Sequence, residues 1–183
     1  MQFTLTYEGR LRSNAKPADK HALRRHFHQQ LSTLWELNPL SKYRDWVQVP
    51  PAEGEFSIIK SVHGFSFAPL VCEKLCAVAE LEVDLLWPQS PGSIIVSGGD
   101  IDNRLKTLFD ALKIPSEPSA LPKGTVPLEG EQPFFCLLED DSLISRVTVN
   151  TDRLLEPEAD PSVVKLLLRV KTRNLGDQWK QLP

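Results

Sequence analysis

The sequence predicts an α+β protein, with a mixed, mainly antiparallel sheet and two or three helices packed on it. Two strands with strict alternation carry the first part of that expectation. Ala79, Leu81, Val83 and Leu85 share one face against Glu80, Glu82 and Asp84, and a late segment sets Val164, Leu166, Leu168 and Val170 against Lys165, Arg169 and Lys171. Two amphipathic helical stretches carry the second. The third is the absence of a long βαβ series, which argues against a doubly wound parallel sheet.

In chain order, Phe3 to Tyr7 alternates as a first strand and Glu8-Gly9-Arg10 turns out of it. Pro17 suits a helix's first turn, and residues 18–36 repeat with helical period, giving a stripe of Leu23, Phe27, Leu31 and Leu34. On a separate basic face fall His21, Arg24, Arg25 and His28. That face reads first as solvated surface and second as a phosphate-contacting edge. Residues 38–55 are loop. Phe56–Lys60 and Gly64–Phe67 form a hairpin with His63 at its tip, and Leu70–Ala79 is a short helix carrying Cys72 and Cys76. Ala79–Trp87 follows as a strand whose acids pair with the cations of the late strand in preference to holding a metal. Ser93–Val96 is a short strand leading into a Gly-Gly-Asp turn, and a helix from Asp102 runs to Lys113, where Pro115 ends it. Residues 114–133 hold five prolines and make a loop insertion or lid inside one domain spanning 1–183. Phe134–Leu138 and Ser142–Asn150 are strands joined across Glu139-Asp140-Asp141, and Val163–Lys171 is the last.

Composition restricts the function classes. The 183 residues are 41% hydrophobic and 25% charged, ordinary for a soluble domain. No apolar run is long enough for a membrane helix, and the start lacks a secretory pattern, so the expectation is a cytoplasmic protein with no membrane partner. Three cysteines without a following Cys or His at zinc-finger distance read as buried free thiols. Residues 1–30 carry six Lys/Arg against two acids, residues 77–160 carry sixteen acids against six bases, and residues 161–183 carry five Lys/Arg against one acid. Basic ends around an acidic middle fit a metal centre flanked by phosphate-binding surface, and equally fit internal charge balance.

The chemistry concentrates in Gly98-Gly99-Asp100-Ile101-Asp102-Asn103-Arg104-Leu105-Lys106. Carboxylates at i and i+2 on a strand-to-helix junction can aim at one point, and oxygen donors of this kind suit Mg²⁺, with Mn²⁺ as an alternative. Asp141 from an adjacent strand end would complete the protein's share of ligands, and Lys106, one turn after Asp102, would face a phosphate oxygen. Arg24, Arg25 and Arg104 are the candidate nucleic-acid contacts. The alternative is purely local: Asp100 caps the helix, Asp102 favours its dipole and pairs with Lys106, and Glu139-Asp140-Asp141 is a polar turn.

Taken together, Asp100-Ile101-Asp102-Asn103-Arg104-Leu105-Lys106, Phe109-Asp110-Ala111-Leu112 and Asp140-Asp141-Ser142 resemble the RusA family of Holliday-junction endonucleases of bacteria and their prophages. The resemblance implies a RusA-like fold and a homodimeric, Mg²⁺-dependent nuclease of branched DNA, active in recombination and repair. It makes Asp100, Asp102 and Asp141 the metal ligands and Lys106 the essential lysine, with Asp140 a lesser participant. The chain departs from the family in being longer, in its pI of about 5.8, in Ser97-Gly98-Gly99 where bases often stand, and in the long 114–133 connection. A non-catalytic nucleic-acid or protein-interaction module on the same fold is the competing expectation, and a metal-dependent RNase or single-strand nuclease would share the site.

Overall fold

The computed structural model describes residues 1–88, 101–156, 160 and 162–176. Seven strands and two α-helices are found among them: β1 (Gln2–Gly9), α1 (Pro17–Trp35), β2 (Lys60–Val62), β3 (Phe65–Val71), β4 (Ala77–Trp87), α2 (Ile101–Leu112), β5 (Phe134–Leu138), β6 (Ile144–Arg153) and β7 (Val164–Asn174). The class is the α+β expected, but the strands divide into two mixed sheets. One has the order β1-β7-β4-β6 and the other β2-β3-β5.

The larger sheet is organised by charge and apolar alternation on β4 and β7, which pair antiparallel over Ala77–Leu86 and Lys165–Asn174. Ala79, Leu81, Val83 and Leu85 on one strand and Val164, Leu166, Leu168 and Val170 on the other are all at most 2% exposed. Their opposite faces pair by charge: Arg169 reaches Glu82 at 2.9 Å and Asp84 at 2.7 Å, and Arg173 reaches Glu80 at 2.8 Å. The acids of β4 are therefore a cross-strand ladder, as their period suggested. β1 adds antiparallel to β7, and β6 adds parallel to β4.

α1 lies across both sheets. Leu23, Phe27, Leu31 and Trp35 enter the main core, beside Leu108, Ala111 and Leu112 of α2. A second core forms under β3 and β5 from Phe65, Phe67, Phe134, Ile114 and Leu121. His28 stacks on Phe134 at 4.5 Å between centroids, and His21 packs edge-on to Phe65 at 5.6 Å.

Several expectations are corrected. The basic face of α1 is neither a solvated face nor a phosphate edge, because His21 and His28 are buried against the second sheet and Arg24 against the end of α2. Leu70–Ala79 is not a helix. β3 runs through Val71, a 3-10 turn occupies Glu73–Leu75, and β4 begins at Ala77. Cys72 is buried as expected, while Cys76 is exposed and takes a positive φ of 47° in that tight turn. A 3-10 segment, Leu40–Val47, lies within the stretch read as loop. Phe134–Leu138 and the strand after it, expected in one sheet, lie in different ones, β5 beside β3 and β6 beside β4. The hairpin tip is as expected, with His63 and Gly64 at φ 51° and 84°, the paired positive values of a two-residue turn. The expected strand at Ser93–Val96 lies outside the described residues.

Candidate active site

α2 forms because Leu108, Ala111 and Leu112 give it one buried stripe, with Leu105 and Phe109 partly buried beside it. Asp102, Lys106 and Lys113 fall within about 40° of one another on a 100°-per-residue wheel, away from that stripe. Leaving the helix, the chain pairs at once with β5, as Ile114 donates its N–H to the Leu138 carbonyl at 3.1 Å.

Asp102 is exposed in the first turn, where its Oδ1 accepts the Asn103 N–H at 2.8 Å. Lys106 is exposed one turn on and makes no ion pair among the described residues. It borders a cleft of about 440 Å³ with Lys20, Asp110, Lys113 and Glu117. Lys20 holds Asp110 at 2.6 Å across that cleft. Asp100 lies outside the described residues.

The three acids of the turn Glu139-Asp140-Asp141 are each held by different partners. Glu139 pairs with Lys60 and accepts the Glu73 N–H at 3.1 Å. Asp140 caps the 3-10 turn Asp141–Leu143 by accepting the Ser142 N–H at 3.0 Å. Those hydrogen bonds from Ser142, helped by Lys113, hold its carboxyl below the usual range. Asp141 meets Lys113 Nζ at 2.8 Å. Lys113 follows Asp102 by eleven residues, about 16 Å of helical rise, so Asp141 is anchored at the other end of α2 from Asp102.

The donors fit Mg²⁺ in kind, being carboxylate oxygens. No group of three or more His, Cys, Asp or Glu side chains able to hold a metal occurs among the described residues, which do not include Asp100. A single lysine occupies Asp141 instead.

The three candidate arginine contacts are structural. Arg24, 2% exposed, donates to the carbonyls of Asp110 at 2.6 Å and Lys113 at 3.4 Å, fixing α1 to the end of α2. Burial lowers its pKa to about 10, which leaves the guanidinium charged. Arg25 grips Glu131 with two hydrogen bonds of 2.6 and 3.1 Å and so ties α1 to the Pro-rich loop. Arg104 is 7% exposed, lies 4.4 Å over the Trp87 ring and donates to the Leu11 carbonyl.

Arg10 and Arg12 were missed as candidates. They line a second pocket of about 350 Å³ with Trp87 and Arg104, at the Asp102 end of α2. Their side chains are 58% and 54% exposed, with loose pairs to Asp160 and Asp19 at 3.7 and 3.6 Å. The signal was the concentration of bases in residues 1–30, assigned there to the helix when two of them stand on the turn before it. Lys113 was also missed, although its spacing from Asp102 and Lys106 places all three on one face.

No protein-family model matches the chain. No curated protein matches it either.

Proposed function

We propose that the chain is a Mg²⁺-dependent endonuclease of branched DNA that works as a homodimer in the cytoplasm, with Asp100, Asp102 and Asp141 as ligands and Lys106 as the phosphate-facing cation. The observation that carries this reading is the solvent stripe of α2. It presents Asp102 and Lys106, which makes no ion pair among the described residues, in the open, with the exposed Arg10 and Arg12 beside its first turn and Lys20 and Lys113 towards its far end. An acid and a cation one turn apart, between basic surfaces, suit a phosphodiester held along the helix. Lys106 would neutralise a phosphate oxygen, and the arginines would set the strand's path without reading its sequence.

One observation favours the competing reading, a non-catalytic nucleic-acid or protein-interaction module. Asp141 is held by Lys113 at the other end of α2, so joining Asp102 requires the acidic turn to move as well as this pair to open.

The test is hydrolysis of four-way junctions and flaps by purified protein with Mg²⁺ or Mn²⁺, beside Asp102→Asn. Cutting by the parent and none by the variant is the expected result. Equal cutting by both removes Asp102 from the site, and no cutting by either leaves the module. Titration calorimetry with Mg²⁺ on Lys113→Met then reads the ion pair directly. Binding tighter than the parent's supports Asp141 as a ligand, and unchanged binding excludes it.

A further inference from the structure

The larger sheet ends on two edges that are treated differently. On β1, α1 closes the edge: Gln30 accepts the Thr6 N–H at 2.9 Å and donates to the Thr6 carbonyl at 2.7 Å, and His26 Nε2 lies 2.8 Å from the same oxygen. On β6 there is no such cover among the described residues. It pairs with β4 on one side only, and six of its ten positions are exposed. Val147 is 41% exposed. The strand holds neither proline nor lysine, the usual devices that keep an edge from pairing.

We infer that β6 is the homodimer interface, pairing antiparallel with β6 of a second copy so that two four-stranded sheets become one of eight strands. A two-fold axis normal to the sheet sets residues of like face opposite each other, because side chains alternate with period two. Residues 146, 148, 150 and 152 share the face of Glu80, Glu82 and Asp84, and 147, 149 and 151 share that of Leu81, Val83 and Leu85. Among face-preserving registers within the strand, the one centred on Val149 sets opposite charges across the junction. It places Arg146 against Asp152 of the second copy, twice by symmetry, and Thr148 against Asn150. On the other face Val149 meets its own copy, flanked by Val147 against Thr151. A register centred one residue earlier or later leaves Arg146 or Asp152 facing an uncharged side chain. Charge complementarity of the strand with itself is what selects a second copy over an unrelated strand.

The pairing rests on the proposed function only for the expectation that a second copy is present. Its test uses neither DNA nor metal, so its failure is separable from failure to cut. Sedimentation velocity at tens of micromolar protein should show a dimer. With Cys76→Ser to remove the exposed thiol, Val149→Cys should form an intermolecular disulfide under mild oxidation, and Ser145→Cys should not. Arg146→Asp alone should weaken the dimer about tenfold by setting like charges opposite, and adding Asp152→Arg should restore it to within about threefold. A monomer at that concentration overturns the inference. So does a dimer that ignores both charge variants and fails to cross-link at Val149. Circular dichroism of each variant separates dissociation from misfolding.

Discussion

Asp102 and His21 show how differently two titratable residues on neighbouring helices can be employed. Asp102 stands in solvent with only a local hydrogen bond, so Asp102→Asn should leave the thermal midpoint unchanged to within about 0.5 kcal/mol of stability, as calorimetry would record. His21 is buried among Phe65, Phe134 and Arg24, and burial, with Arg24 and Arg25 adding repulsion, lowers its pKa to about 4. His28 is held neutral in the same way, chiefly by burial. Its Nδ1 accepts the Phe135 N–H at 2.9 Å and its Nε2 contacts the Gly130 carbonyl at 3.2 Å. Both folded-state values lie below the unfolded value near 6.5, so the unfolded chain binds more protons in that window. Stability should therefore fall as pH drops from about 6.5 toward 4, and His21→Phe should flatten that slope in urea titrations across the range. A slope unchanged by His21→Phe would place its origin elsewhere. None of this was visible in the pattern of α1. Histidine and arginine at helical spacing look like a wet face, and only the stacked phenylalanines of β3 and β5, far off in sequence, make that face an interior.

At the level of the elements, the strands whose two faces differ in chemistry were legible and those that lack such a signature were not. β4 and β7 announced their pairing, though not its antiparallel direction, because three acids and the facing cations had the same period. β6 carries no comparable code for its parallel neighbour, so the sequence named no partner for it, and the division of the expected single sheet into two was not legible. The Pro-rich segment 114–133 read as an insertion or lid, yet it is fastened to α1. Leu121 enters the second core, His28 meets Gly130, and Glu131 takes both arms of Arg25 together with the Leu128 N–H at 2.8 Å. Burial is the largest single influence and opposes the charge on Glu131, but the hydrogen bonds from Arg25 and Leu128 and the attraction of Arg25 and His28 together outweigh it, so the carboxyl sits below its ordinary range. Glu131→Gln should cost about 1–3 kcal/mol, since it leaves part of the Arg25 guanidinium without its anion. Urea denaturation would measure that loss, and a change near zero would mean the loop is held by apolar contact alone. On β7, Arg169→Met should cost less than about 1 kcal/mol, because its ladder is partly solvated. The candidate site was half legible: the residues of α2 declared their spacing, whereas the tie between Lys113 and Asp141 depends on where β5 delivers the acidic turn.

Across the whole molecule, the last strand described occupies the middle of the larger sheet. β7 lies between β1 and β4, and Met1 and Thr172 share two backbone hydrogen bonds, at 2.9 and 3.3 Å. Removing residues 164–176 should therefore abolish cooperative folding, not trim an end, and a sigmoidal melt in that truncated chain would refute the point. The consequence reaches into synthesis. A ribosome delivers β1 long before its hydrogen-bonding partner β7, so through that interval β1 and one flank of β4 wait with unpaired backbone and exposed leucines and valines. Such a nascent chain is a natural client for holding chaperones until β7 clears the exit tunnel.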